Sequence, residues 1–211
     1  MLIGCQFALY PMESDFVPII YEAIAPLKDR ADLRVESDDL STYLAGPSQA
    51  VFDAVHEVYA LACRAGGHVV LSATWSRGCP GEPGDPICTP DGGDIQHEPL
   101  PVRSFQSDGI IVAAQCALYP MGNSSYMAEI GREIKLFQQS AGNAAVDLEV
   151  SAKHFCTRLD GELSEIFHQL STAFVRCGHT TRHVVLTATI SKGSPSTSAP
   201  HNRRKMKENR I

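Results

Sequence analysis

The chain has 211 residues, enough for about one or two domains. Its hydrophobic content of 44% and charged content of 20% are those of a globular protein. A net charge of −6 excludes a nucleic-acid footprint over the body of the chain, and no apolar run approaches the roughly 20 residues that a membrane-spanning helix needs.

Leu2–Tyr10 is rich in strand formers, with Ile3, Cys5, Phe7 and Leu9 on one face and Gly4, Gln6, Ala8 and Tyr10 on the other. Leu2-Ile3-Gly4-Cys5 superficially resembles a lipoprotein cleavage box, but no charged or apolar region precedes it, so it reads as the start of this strand. Pro11 ends the strand, and Asp15 is placed to cap a helix whose apolar stripe is Phe16, Ile20, Ala23, Ile24 and Leu27. Pro26 should end or kink that helix. Leu33–Ser37 and Leu40–Ala45 are short strands around Asp38-Asp39, a hairpin signal. Gly46-Pro47-Ser48 opens a second helix with Val51, Phe52, Val55, Val58, Tyr59 and Ala62 on its apolar face, and Gly66-Gly67 stops it. His68–Ser76 is a fourth strand. The order is β-α-β-β-α-β, the ferredoxin-like unit.

The same order then returns. Gln6-Phe7-Ala8-Leu9-Tyr10-Pro11-Met12 recurs as Gln115-Cys116-Ala117-Leu118-Tyr119-Pro120-Met121, and His68–Ser76 recurs as His183–Ser191. From Leu33 to Pro80 the copies align without a gap at a shift of 115 residues. Ile110–Tyr119 is a strand, and Ser125 precedes a helix carrying Tyr126, Met127, Ile130, Ile134 and Phe137. Val146–Val150 and His154–Asp160 form the hairpin, and Leu163, Ile166, Phe167, Leu170, Phe174 and Cys177 stripe the last helix. The fold class is therefore α+β, built from tandem ferredoxin-like repeats at 1–78 and 110–195. A Pro/Gly-rich linker occupies 79–109 and a basic, solvated tail 196–211. Each four-stranded sheet carries helices on one face only. Its other face calls for cover, most simply by the other copy or by another subunit, and a homodimer is expected. Seven cysteines, an odd number with no Cys-x-x-Cys, fit reduced thiols in a cytoplasmic protein.

Catalytic patterns are scarce. There is no phosphate loop, no nucleophile elbow and no His-Glu-x-x-His. His179 and His183 are four apart, but Gly178 ends the helix before both, so they need not share a face, and Asp85, Asp91, Asp94 and His97 in the linker fit no calcium loop. No cofactor and no metal is expected. What persists in both copies is a set of hydroxyls inside apolar strands: Thr42/Thr157, Ser72/Thr187 and Thr74/Thr189, near Tyr10/Tyr119. Such a lining suits a small, flat, neutral or cationic ligand.

Gln-Phe-Ala-Leu-Tyr-Pro-Met at 6–12, Ser76-Arg77-Gly78-Cys79-Pro80-Gly81-Glu82, and Tyr126-Met127 resemble the YkoF family of thiamine/hydroxymethylpyrimidine-binding proteins. The resemblance spans essentially the whole chain apart from the tail. It implies a soluble dimer that binds thiamine or its pyrimidine precursor in each repeat, is linked to thiamine-precursor uptake and so to a transporter, and is no catalyst. By this resemblance Thr42 and Thr157 keep the family's third-strand hydroxyl, and Thr74 keeps the one in the last strand. Ser72 and Thr189 stand where the family can carry an amide, and Trp75 replaces a smaller aromatic residue. The expected ligand-binding set is Tyr10, Thr42, Ser72, Thr74, Trp75, Tyr119, Thr157, Thr187 and Thr189. The Trp75 face, replaced by Ile190 in the second copy, would favour a cationic ligand in the first repeat. The rival readings are a small-molecule enzyme on the same fold using His68 or His183, and a ligand-sensing regulator.

Overall fold

The computed structural model describes residues 1–78, 99–101, 105–107, 109–143 and 148–196. The linker aspartates, His97, Cys79, Cys88, Val146 and the basic run Arg203–Lys207 lie outside the described residues.

Alternation in Leu2–Pro11 (β1) sends Ile3, Cys5, Phe7 and Leu9 into the core, each no more than 9% exposed. The first helix, Phe16–Ile24 (α1), tightens into a 3-10 turn over Ala25–Asp29 because Pro26 cannot donate the bond that would continue it. Arg34–Ser37 (β2) and Thr42–Pro47 (β3) form the hairpin, and Ser48–Ala65 (α2) and Val69–Arg77 (β4) complete the unit. The second unit runs Ile111–Met121 (β5), Tyr126–Ala141 (α3), Leu148–Ala152 (β6), Thr157–Glu162 (β7), Leu163–Gly178 (α4) and His183–Lys192 (β8). Asp15 and Ser125 occupy the expected capping positions, but neither makes a side-chain capping bond.

The two sheets are not stacked. They join edge to edge into one eight-stranded sheet of order β2-β3-β1-β4-β8-β5-β7-β6. The seam is the antiparallel β4–β8 pair, in which Ala73 faces Ala188, its own counterpart 115 residues on, so a local two-fold axis passes between them. Each unit thus covers the exposed edge of the other. The other copy therefore does not cover the helix-free face.

Cross-bonds fasten the seam. Arg77 Nη1 donates to the Gly178 carbonyl at the end of α4 (2.6 Å). Its counterpart Lys192 donates Nζ to the carbonyls of Cys63 (2.9 Å) and Gly66 (2.8 Å) at the end of α2. Cations are well placed at the negative ends of these helices. Gly78 and Gly193 follow the two basic residues with φ of 73° each, and a Cβ at Gly193 would lie 2.0 Å from the Gly67 carbonyl. Side chains are excluded there on both counts. Between helices and sheet, Trp75 stacks on Phe52 with centroids 4.9 Å apart, and Phe167 and Phe174 pack edge-on beside them.

Candidate functional site

Register and burial divide the nine expected residues between the two faces of the sheet. Tyr10, Ser72, Thr74, Tyr119, Thr187 and Thr189 lie on the helix-free face. Thr74 sits opposite Thr187 and Ser72 opposite Thr189 across the seam, so these four hydroxyls form a patch around the local two-fold axis. Tyr10 and Tyr119, 49% and 47% exposed, flank the patch from opposite ends of the sheet. Thr42, Thr157 and Trp75 face the helices instead. Trp75 has no exposed surface, so its stacked ring does not offer a face to a ligand, and the expected preference of the first repeat through Trp75 loses its basis.

A different doubled constellation emerges around Thr42 and Thr157. Each is 7% exposed and begins its strand, opposite Phe7 and Cys116 respectively. Thr42 Oγ1 lies 2.9 Å from Ser37 Oγ across the hairpin. Because β2 runs parallel to β1, the hairpin tip and the start of α1 share one end of the sheet. The tips carry Leu40 (78% exposed) and its counterpart Phe155 (98% exposed). The first turns of the neighbouring helices carry Phe16 and Val17, or Tyr126 and Met127, all about half exposed or more. With one exception, Leu100, every exposed large apolar residue among the described ones belongs to α1 and the tips, to α3, or to the strands β1 and β5 and the residue after β1. Exposed apolar patches of this kind mark contact sites. The hydroxyl end-site, present twice, and the helix-free sheet face, one surface spanning both repeats, are therefore two separate candidates.

Sequence periodicity had placed Phe16, Ile20 and Ile24 on the buried stripe of α1. The buried positions are Ile19, Ala23 and Leu27, one notch round the helix. In α3 the buried residues are Glu129, Glu133 and Phe137, leaving Tyr126 and Met127 at the rim. The exposed tips and helix starts were missed because an exposed apolar residue looks the same in sequence as a buried one. The signal available was their recurrence at equivalent positions.

A polar cleft of about 330 Å³ opens elsewhere, between α3 and α4, lined by Gln139, Ser140, Thr172 and Arg176 among others, and it contains none of the nine residues. His68 and His183 stand at the starts of the seam strands, at opposite ends. His68 Nε2 lies 3.3 Å from Ser191 Oγ, a contact within the seam. Neither histidine lines that cleft. No group of three or more His, Cys, Asp or Glu able to hold a metal occurs among the described residues. No helix among the described residues is long and apolar enough to cross a membrane.

Comparison with known proteins agrees with the doubled architecture. A Bacillus subtilis (strain 168) protein named "Putative HMP/thiamine-binding protein YkoF" is 31% identical over 196 residues, 92% of each chain. A crystal structure of the hypothetical protein MJ1052 from Methanocaldococcus jannascii aligns with 47% of this chain and 98% of its own, at 21% identity and a TM-score of 0.38, too low to bear on the site. The pattern of the YKOF-related family matches residues 2–82 and 111–197, one match per repeat. The chain belongs to the YKOF-related family.

Proposed function

We propose that this protein binds thiamine or its hydroxymethylpyrimidine precursor, with one site per repeat, and is a carrier or sensor of the ligand with no catalytic step. The supporting observation is the duplication of one constellation in a relative of a protein named for this ligand: a buried threonine under an exposed apolar hairpin tip and an exposed apolar helix start. Thiamine has an aminopyrimidine edge that needs donors and acceptors and a cationic thiazolium that favours aromatic faces. Thr42 and Thr157 supply the first, and the tips and helix starts supply the second. An arrangement of this kind offers orientation without an acid or a base, which suits binding and release.

The helix-free face serves a different purpose in this reading. It carries Leu2, Tyr10, Met12, Ile111, Tyr119 and Met121 around small residues, and a second copy of the chain would cover it as a homodimer.

The functional test removes the hydroxyls. Thr42→Val keeps the β-branched shape and deletes one polar atom. It should weaken binding at the first site by about 1–3 kcal/mol and leave the second unchanged, and Thr157→Val should do the converse. Two-site titration with melting curves alongside checks both. Unchanged affinities with an intact fold would remove these threonines from the site.

A further inference from the structure

The two end-sites have the same shape of framework and opposite charge. In the first repeat the loop between β1 and α1 carries Glu13 and Asp15, and the hairpin tip carries Asp38 and Asp39, all four exposed. At the equivalent places the second repeat has Gly122 and Ser124-Ser125 in the loop, and Lys153 and His154 at the tip. Four carboxylates are thus replaced by none, with a lysine and a histidine added. Other residues of the framework remain: Thr42/Thr157 below, Leu40/Phe155 above.

The tips share one backbone bond, from the Asp38 N–H to the Ser41 carbonyl and from the Lys153 N–H to the Cys156 carbonyl, both at 3.0 Å, and each puts one apolar residue outermost, but the turns are completed differently. Asp38 Oδ1 accepts from the backbone N–H of Leu40 and of Ser41, both at 2.8 Å, an Asx-type turn. These two bonds hold the Asp38 carboxyl below the usual carboxylate range, so it is anionic. In the second repeat Phe155 takes a φ of 65°, the sole positive φ outside glycine among the described residues. Backbone strain of this sort, on a fully exposed phenylalanine, persists at ligand contacts and switch points.

Resting on the thiamine/hydroxymethylpyrimidine reading, we infer that the two repeats select their ligands by charge: the first takes the cation-bearing thiamine, and the second takes the pyrimidine without a fixed positive charge. The acidic rim attracts a thiazolium that the Lys153 rim repels, whereas the uncharged pyrimidine is indifferent to both. These charges are exposed, so the discrimination is electrostatic and sensitive to salt.

The test exchanges rim charges that hold no backbone. Glu13 Oε1 accepts the Gly67 N–H and Asp38 shapes its turn, so both are left in place. The variants are Asp15→Ser with Asp39→Lys in the first repeat, and Lys153→Asp with His154→Asp in the second. Each is titrated calorimetrically with thiamine and with hydroxymethylpyrimidine in a Thr157→Val or Thr42→Val background, so that one site is read at a time. The expected result is that the first-repeat variant loses roughly tenfold in thiamine affinity at low salt and much less at high salt. The second-repeat variant gains by a similar factor, and hydroxymethylpyrimidine affinity moves in neither. Equal preference of the two wild-type sites for the two ligands, or thiamine affinities that the exchanges do not move, would overturn the inference while leaving the binding function standing. Absence of binding of either ligand by the wild-type protein would overturn the functional reading and this inference with it.

Discussion

The two repeats share a fold but solve the contact between their paired helices in different ways. In the first, α1 and the 3-10 turn after it present Ile19, Ala23 and Leu27, an apolar strip against α2 and the sheet. In the second, the same stations on α3 are Glu129, Glu133 and Phe137, and the two carboxylates are 6% and 2% exposed. They are tolerated because their oxygens have donors. Glu129 Oε1 accepts from Asn123 and Thr180, and Oε2 accepts from Thr181 at 3.0 Å. Glu133 accepts from Arg176 Nη1 at 2.5 Å and from Arg132 Nε at 3.1 Å. In the first repeat the aligned positions of Arg176, Thr180 and Thr181 are Leu61, Ala65 and Gly66, which offer no side-chain donor. The acids and their donors thus occur as a set. A buried polar network is acceptable when complete and costly when any member is missing.

That contrast predicts its own failures. The largest effect comes from importing half of the set: Ile19→Glu places a carboxylate where nothing donates to it, and should cost about 3–5 kcal/mol or abolish folding. Chemical denaturation measures this, and a loss below 1 kcal/mol would mean that α1 can turn its buried face to water. A smaller effect is expected from Glu133→Ala, which frees Arg176, a residue with access to water. About 1.5–3 kcal/mol should be lost, the worth of hydrogen bonds to a charged group.

The smallest effect is read against pH. Burial first, and then the Glu133 and Glu129 charges, push the Cys177 thiol up to about 12 from an ordinary 9.0. The unfolded thiol ionises first, so this group's contribution is fully present below pH 9 and is lost as pH rises through about 12. The stability of the wild type should fall by about 1 kcal/mol more between pH 8 and pH 10 than that of Cys177→Ala. Ala62 already stands at the aligned position in the first repeat, so alanine is compatible with this helix contact.

Much of this architecture was legible because duplication makes weak local signals reinforce each other. The two hairpins and the order of elements follow from patterns that recur, and the break at Pro26 from proline itself, since the second repeat has Leu136 there and an unbroken helix. The seam between β4 and β8 was not legible, since nothing in a strand's sequence names the edge it will pair with. The division of the expected site residues was within reach: Trp75 is in phase with Leu71 and Ala73, whereas Ser72 and Thr74 alternate with them, so one pocket could not hold all three. The polar helix contact of the second repeat was hidden for a different reason. Two glutamates four apart on a helix carry no sign of burial in sequence until their distant donors, Arg176 and Thr180 some 40 to 50 residues away, are known to lie opposite. Leu40 and Phe155 read in sequence as the beginnings of the hairpin strands, which in fact start at Thr42 and Thr157, and their exposure at the same place in both copies is what singles them out.

The central claim is one thiamine-class site per repeat. Isothermal titration of the intact protein with thiamine, hydroxymethylpyrimidine and thiamine diphosphate in parallel tests it most directly. The account predicts two sites per chain, summed over thiamine and hydroxymethylpyrimidine, with unequal affinities that Thr42→Val and Thr157→Val weaken one at a time. A single site per chain, or no heat with either ligand, would contradict it.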